Sequence, residues 1–437
     1  MTQSSVDVAS LETLTIDDTV KGVPGGVTGL ALSAVGRRGW NVLRGDLPLP
    51  LAILKESALA HNSRWMQRFV ERTGVKFAPH GKTTMSPQLF DRQLQDGAWA
   101  ITLATVPQVQ VARRYGVSRV FLANQLVGRA ETTYVLNELG RDPGFDFYCL
   151  VDSEETVALL ASATREIDPG RPVQVLVERG FVGGRAGCRT TDEAVAVARA
   201  VRRTAPRLVL RGVEGFEGLV DGVDAVDTER RADAFLRSIV ETARACEGEG
   251  LFAPGEILLT AGGSAFFDLV VDILGGADIG RPVTTVIRAG CYLTHDSEHY
   301  QDAFARILAR SGAARETGGQ FQSAIELWAY VQSRPEATRV ILNAGKRDTS
   351  HDVALPRPLQ WFRPETHVRP LALDAAHVVV ALNDQHALLD VPASSPLAVG
   401  DRVALGISHP CTTFDKWRLL PVVDDAYNVI SAVRTFF

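Results

Sequence analysis

Between about residues 75 and 290 the chain repeats one pattern, a short continuous apolar run followed by a longer stretch of mixed polarity. The runs are "VKFAP" (75–79), "WAITLAT" (99–105), "RVFLAN" (119–124), "DFYCLV" (146–151), "VQVLVE" (173–178), "LVLRGVEG" (208–215), "EILLTAGG" (256–263) and "TTVIRAG" (284–290). The stretches between them, such as "SEETVALLASATREI" and "TDEAVAVARAVRRTA", open on Ser or Thr with acidic residues and then space apolar positions at i, i+3 and i+4. That is the pattern of capped amphipathic helices.

Strands that are apolar throughout, rather than at alternate positions, belong to a parallel sheet covered on both faces. Eight strand–helix units over about 215 residues predict a closed (β/α)₈ barrel of the TIM type. An open doubly wound sheet fits the same periodicity. After about residue 310 the pattern changes to "SAIELWAYVQ", "TRVILNAG", "HVVVALNDQHALLDV", "GDRVALGI" and "NVISAVRTFF", separated by turn residues, which predicts a mostly antiparallel β domain. The expected division is an N-terminal segment 1–50 that contributes to the β domain, a barrel over 51–305 and a C-terminal β domain over 306–437.

Composition narrows the partners. The 437 residues are 46% hydrophobic and 22% charged with a formal net charge of -5, so no field draws the chain to phosphate backbones and nucleic acid is excluded as a partner. Five scattered cysteines without CxxC spacing suit a reducing compartment. The start "MTQSSVDVASLETLTIDD" is acidic where a signal peptide is basic, and no apolar run reaches the ~20 residues of a membrane helix. The expectation is a cytoplasmic enzyme with no membrane partner.

The first apolar run ends in "PHGKTT", which sets Lys82 just past the C-terminal end of a barrel strand, the end at which such barrels keep their chemistry. Lys82 is one of very few lysines in a chain whose positive charge is overwhelmingly arginine, and its neighbours are small or hydroxylic. An unprotonated lysine amine forms a Schiff base with a carbonyl cofactor. If that cofactor is pyridoxal 5'-phosphate, a phosphate cradle belongs at the same end of the barrel. Gly262, Gly263 and Ser264 follow the seventh run, on a late loop where barrel phosphate sites commonly lie. Gly290 and Tyr292 follow the eighth, and Arg185 sits in a glycine-rich loop after the fifth, within reach of a ring nitrogen, phenolate or carboxylate. Near the end, "SHPCTT" places His409 and Cys411 on one face of an extended segment, a good zinc pair if the β domain carries it to the barrel mouth.

Taken in order, "PHGKT", "GRAG", "AGGS", "RAGCY", "NAGKRDTSHD", "NDQH" and "SHPCTT" resemble the D-threonine aldolase and D-serine dehydratase-like family, the alanine-racemase-type, fold-type III pyridoxal phosphate enzymes, over roughly residues 50 to 437. The resemblance implies Lys82 as the Schiff-base lysine, and His80, Arg185 and Tyr292 are the further residues expected to bind the cofactor. It implies the Gly262–Ser264 turn at the phosphate and a divalent metal on His409 and Cys411, zinc first with manganese or magnesium as alternatives. It implies a homodimer acting on D-configured β-hydroxy amino acids, as a dehydratase giving a 2-oxo acid and ammonia or as an aldolase giving glycine and an aldehyde. A racemase or a non-catalytic cofactor carrier are the other readings. The chain departs from the family pattern at Thr84 and Met85, where a second histidine and lysine are usual, and at Gln108, where relatives often carry glutamate.

Overall fold

In a computed structural model, which describes residues 6–437, each of the eight apolar runs contains a strand. They are Lys76–Phe77, Ile101–Leu103, Arg119–Gln125, Asp146–Val151, Val173–Arg179, Leu208–Gly215, Ile257–Ala261 and Val283–Ile287. All pair in parallel with their neighbours in chain order, and the eighth returns to the first. Between the first and second strands the ring closes through a parallel bridge from His80 to Thr102, with Thr102 N donating to Pro79 O at 2.9 Å. The sheet is therefore a barrel and the open doubly wound alternative is excluded.

Local chemistry explains the intervening helices. Ser153 starts the helix Glu154–Glu166 and Thr190 starts Thr191–Arg203, each by a reciprocal capping box with the residue three positions on. Ala78, Ala100, Phe121, Tyr148, Leu150, Leu176, Leu258 and Val286 fill the barrel as a cluster separate from the larger core between strands and helices. The barrel is packed and not a pore, so its chemistry is confined to the loops at the strand ends.

The β domain is built around the long strand Ile325–Glu336, antiparallel to Arg402–Gly406, Arg339–Leu342 and Leu51–Lys55. Leu51–Lys55, at the start of the segment expected to open the barrel, is thus a strand of the β domain, and it runs straight into the helix Glu56–Thr73. On that helix Trp65 lies within 6.2 Å of Phe267, Phe304 and Phe321, so one aromatic cluster spans both domains. The preceding segment is pinned to the β domain, where Lys21 reaches the buried Asp348 at 2.6 Å and Asn41 bridges to Asn428. No helix among the described residues is long and apolar enough to cross a membrane.

Candidate functional site

Lys82 occupies a 3-10 turn, Gly81–Thr83, directly after the first barrel strand. The short helix Cys411–Phe414 of the β domain packs against this turn, and the Cys411 Sγ is 3.4 Å from the Thr83 hydroxyl. The HPC turn therefore does reach the barrel mouth. His409 Nδ1 lies 2.7 Å from Asp352 Oδ2, which orients the ring and leaves Nε2 as its remaining nitrogen. The ring pKa is raised to about 9, first by its hydrogen bond with the Cys411 sulfur and then by Asp352, against the effect of burial. Cys411 Sγ also lies 3.7 Å from the sulfur of Cys291, which follows the eighth strand. Of the two sulfurs Cys411 is the thiolate, its pKa lowered by the hydrogen bond with Cys291 and by His409, and Cys291 keeps its proton.

The barrel side of the site is charged and buried. Arg288, 1% exposed, forms an ion pair with Glu214, donates to Thr260 Oγ1 at 3.1 Å and lies 4.9 Å over the Phe121 ring. Glu178 accepts from Gln125 and is pushed up to about 7, chiefly by burial and then by the charge of Glu214. Glu217, in the turn after the sixth strand, is fully buried and also pushed to about 7 by burial. Burial, followed by the charges of Lys82, Arg288 and Arg185, holds His80 well below the ordinary imidazole range, so its ring is neutral.

Glycine is required where these groups meet. A Cβ at Gly262 would lie 2.5 Å from Arg288 Nε, and one at Gly263 would lie 2.5 Å from Glu217 Oε1. At Gly290 it would lie 2.6 Å from His80 Cβ and 2.8 Å from Thr83 Oγ1. His80 Nδ1, Arg288 Nε and Glu214 Oε2 are buried without a protein partner. Buried polar atoms are ordinarily paired, so a cluster of orphans at the barrel mouth marks a place for a polar group. The donors, acceptors and tight glycine turns fit a phosphorylated carbonyl cofactor such as pyridoxal 5'-phosphate. Likewise the imidazole–thiolate pair, with Asp352 behind the imidazole, fits a divalent metal.

Of the residues expected from sequence, Lys82, His80, Gly262, Gly263, Ser264, His409 and Cys411 come together. Ser264 Oγ accepts from Cys291 N at 3.4 Å and so ties the seventh loop to the eighth. Arg185 is exposed, its guanidinium 5.0 Å from the Phe216 ring, with its charge felt at His80 and Glu214. Tyr292 is placed elsewhere. It packs in the core 5.1 Å from Phe77, with its hydroxyl toward Gln93, because successive side chains of this turn diverge and it is Cys291 that faces the site. Gln108 also lies apart. It accepts from Ala104 N at 2.8 Å and lines a cleft of about 800 Å³ on the outer flank of the barrel, bounded by Phe436 and Phe437. Glu178, Glu214, Glu217, Arg288, Asp352 and Cys291 escaped the sequence reading. The signal was a carboxylate closing an otherwise apolar strand run, as in "VQVLVE" and "LVLRGVEG".

Residues 324–423, which include the HPC turn, match the model of the putative serine dehydratase domain. The chain is 24% identical over 409 residues to a D-threonine aldolase of Arthrobacter sp, covering 91% of this chain and 94% of that one. To a D-threo-3-hydroxyaspartate dehydratase of Delftia sp. (strain HT23) it is 25% identical over 383 residues, 84% and 92% of the two chains. The solved D-threonine aldolase from Filomicrobium marinum superposes with a TM-score of 0.71 at 21% identity, covering 89% of this chain and 95% of that one, which shows a shared fold.

Proposed function

The chain is a relative of the D-threonine aldolases and D-serine dehydratase-like proteins, and from that premise we propose that it is a pyridoxal 5'-phosphate- and divalent-metal-dependent lyase that dehydrates D-configured β-hydroxy amino acids such as D-serine or D-threonine to a 2-oxo acid and ammonia. The observation that carries the reading is the contact of the His409–Cys411 turn with the Lys82 turn, through Thr83 and Cys411. A nitrogenous group on one side and a metal-binding pair on the other can address adjacent carbons of one small substrate.

Lys82 would hold the cofactor's carbonyl, with the Gly262–Ser264 turn at its phosphate and the neutral His80 ring beside it. When bound, the cofactor supplies an electron sink for the bond broken at Cα, and the metal on His409 and Cys411 supplies a Lewis acid for the β-oxygen. The residues do the rest. The Lys82 amine, once the substrate amine takes its place, accepts the Cα proton as a base. Asp352 keeps His409 Nδ1 engaged so that the ring presents Nε2. Loss of hydroxide from Cβ then leaves an enamine that hydrolyses to the oxo acid.

Aldol cleavage is the second reading. It needs only that the β-hydroxyl and not Cα give up its proton, after which the Cα–Cβ bond breaks to glycine and an aldehyde. A sulfur at Cys411 favours the dehydratase, and the match of residues 324–423 to a dehydratase domain supports the same choice. Product analysis decides. Incubation with the cofactor, zinc and D-threonine is expected to yield 2-oxobutyrate and ammonia, whereas glycine and acetaldehyde would assign the aldolase reaction and an inert D-threonine and D-serine would remove both.

A further inference from the structure

The metal reading above rests on His409 and Cys411, and the next step rests on that reading. We propose that Cys291 is a second sulfur ligand of the same ion, so that the site takes a thiophilic divalent cation, zinc or cobalt, between two cysteine sulfurs and one imidazole.

The sulfurs of Cys291 and Cys411 are 3.7 Å apart. Two thiolates bound at ~2.3 Å to one tetrahedral zinc ion are separated by about 3.8 Å, the edge of that tetrahedron. A disulfide needs about 2.0 Å, so the pair stands at a chelating and not a bonded separation. Cys291 is also set apart from the other buried cysteines. Cys149, Cys188 and Cys246 belong to the apolar core, and Cys291 does not. Its surroundings are polar: the Ser264 hydroxyl accepts from its backbone N, and the Tyr300 phenol hydrogen-bonds its thiol. A thiol whose only task is packing has no use for such company.

His409 completes the set from the other side, its Nδ1 held by Asp352 and its ring hydrogen-bonded to the Cys411 sulfur. Cys411 is thus shared by a sulfur–sulfur edge and a nitrogen–sulfur edge. As the side chains stand, no three His, Cys, Asp or Glu groups among the described residues enclose a common point, so on binding the sulfur–sulfur edge stays in place and the His409 ring turns toward it. The Cys291 thiol loses its proton to solvent as the ion binds, joining the Cys411 thiolate. Three protein ligands leave a fourth position open for a substrate oxygen, the pattern of a catalytic site. Two sulfurs also select against magnesium and manganese, which prefer oxygen ligands.

The test uses the full-length protein, purified under reductant, stripped by chelator and titrated with Co²⁺ while thiolate-to-cobalt charge-transfer absorbance is followed in the near ultraviolet. Cys291→Ser is expected to lower the band per bound ion to about half and to weaken Co²⁺ binding by at least ~10-fold, with the double Cys291→Ser, Cys411→Ser variant losing the band. A measurement that needs no variant is zinc-edge X-ray absorption of the wild type, expected to show two sulfur ligands near 2.3 Å. One sulfur in that spectrum, or a full band in Cys291→Ser alongside its loss in Cys411→Ser, overturns the role of Cys291 while keeping the metal. Absence of any stoichiometric ion, or a band indifferent to both His409→Ala and Cys411→Ser, overturns the metal reading itself and this one with it.

Discussion

Lys82 and Glu217 are the two residues whose environments say most about how the barrel mouth works. Lys82 shares its turn with Thr83 and stands beside a neutral His80, with Arg288 and Arg185 adding positive charge around it. Replacing it, as Lys82→Ala, is expected to abolish the visible absorbance of the bound cofactor and to reduce turnover by at least ~10²-fold, the usual contribution of a positioned acid–base group; both are read on the same sample. Glu217 tests burial directly. Its carboxyl titrates near 4.5 when unfolded and about 7 when folded. Between those values the folded state holds a proton that the unfolded chain has released, so this group's contribution is fully present below about 4.5 and is lost as pH rises through about 7. Glu217→Gln, which never charges, is therefore expected to gain on the wild type by roughly 3 kcal/mol between pH 4.5 and pH 8, measured by urea unfolding at both. A constant gap would show that the carboxyl is not held neutral.

At the scale of elements, the turns after the first, seventh and eighth strands lock together through glycine. Gly290 is the joint with least room to yield, since a methyl there meets backbone as well as side chain, the His80 oxygen at 2.9 Å and its Cβ at 2.6 Å. Gly290→Ala is expected to displace the Lys82 turn, costing about 1–3 kcal/mol of stability and at least ~10-fold in cofactor affinity, with the far-ultraviolet circular dichroism of the fold retained. Affinity unchanged by the added methyl would mean that the Lys82 turn is not held from this side. The eight strands and their capped helices were legible because each is local: the apolar run and the Ser153 or Thr190 cap lie within one element. Pairings across the chain were not. Leu51–Lys55 lies against Ile325–Glu336 through side-chain and register complementarity that no window of sequence contains, and its continuous apolar run reads equally well as a first barrel strand.

For the whole molecule, the consequential observation is that the β domain packs its Cys411 turn on the Lys82 turn of the barrel, and the proposed site takes half its residues from each. The HPC turn was recognisable as a ligand pair, but its value depended on where the β domain carries it, and only the packing of Cys411 on Thr83 answers that. Cys291 and Cys411 are 120 residues apart in sequence, which is why neither predicted the other. Lys82 and the His409–Cys411 pair are assigned to the two carbons of one substrate, and the most direct measurement separates those two tasks. His409→Ala protein, loaded with cofactor and incubated with D-threonine in deuterated water, is expected to exchange the Cα proton, followed by NMR, while its release of ammonia falls by at least ~10²-fold, since the base is intact and the Lewis acid is lost. Ammonia release at the wild-type rate from that variant would contradict the division of labour.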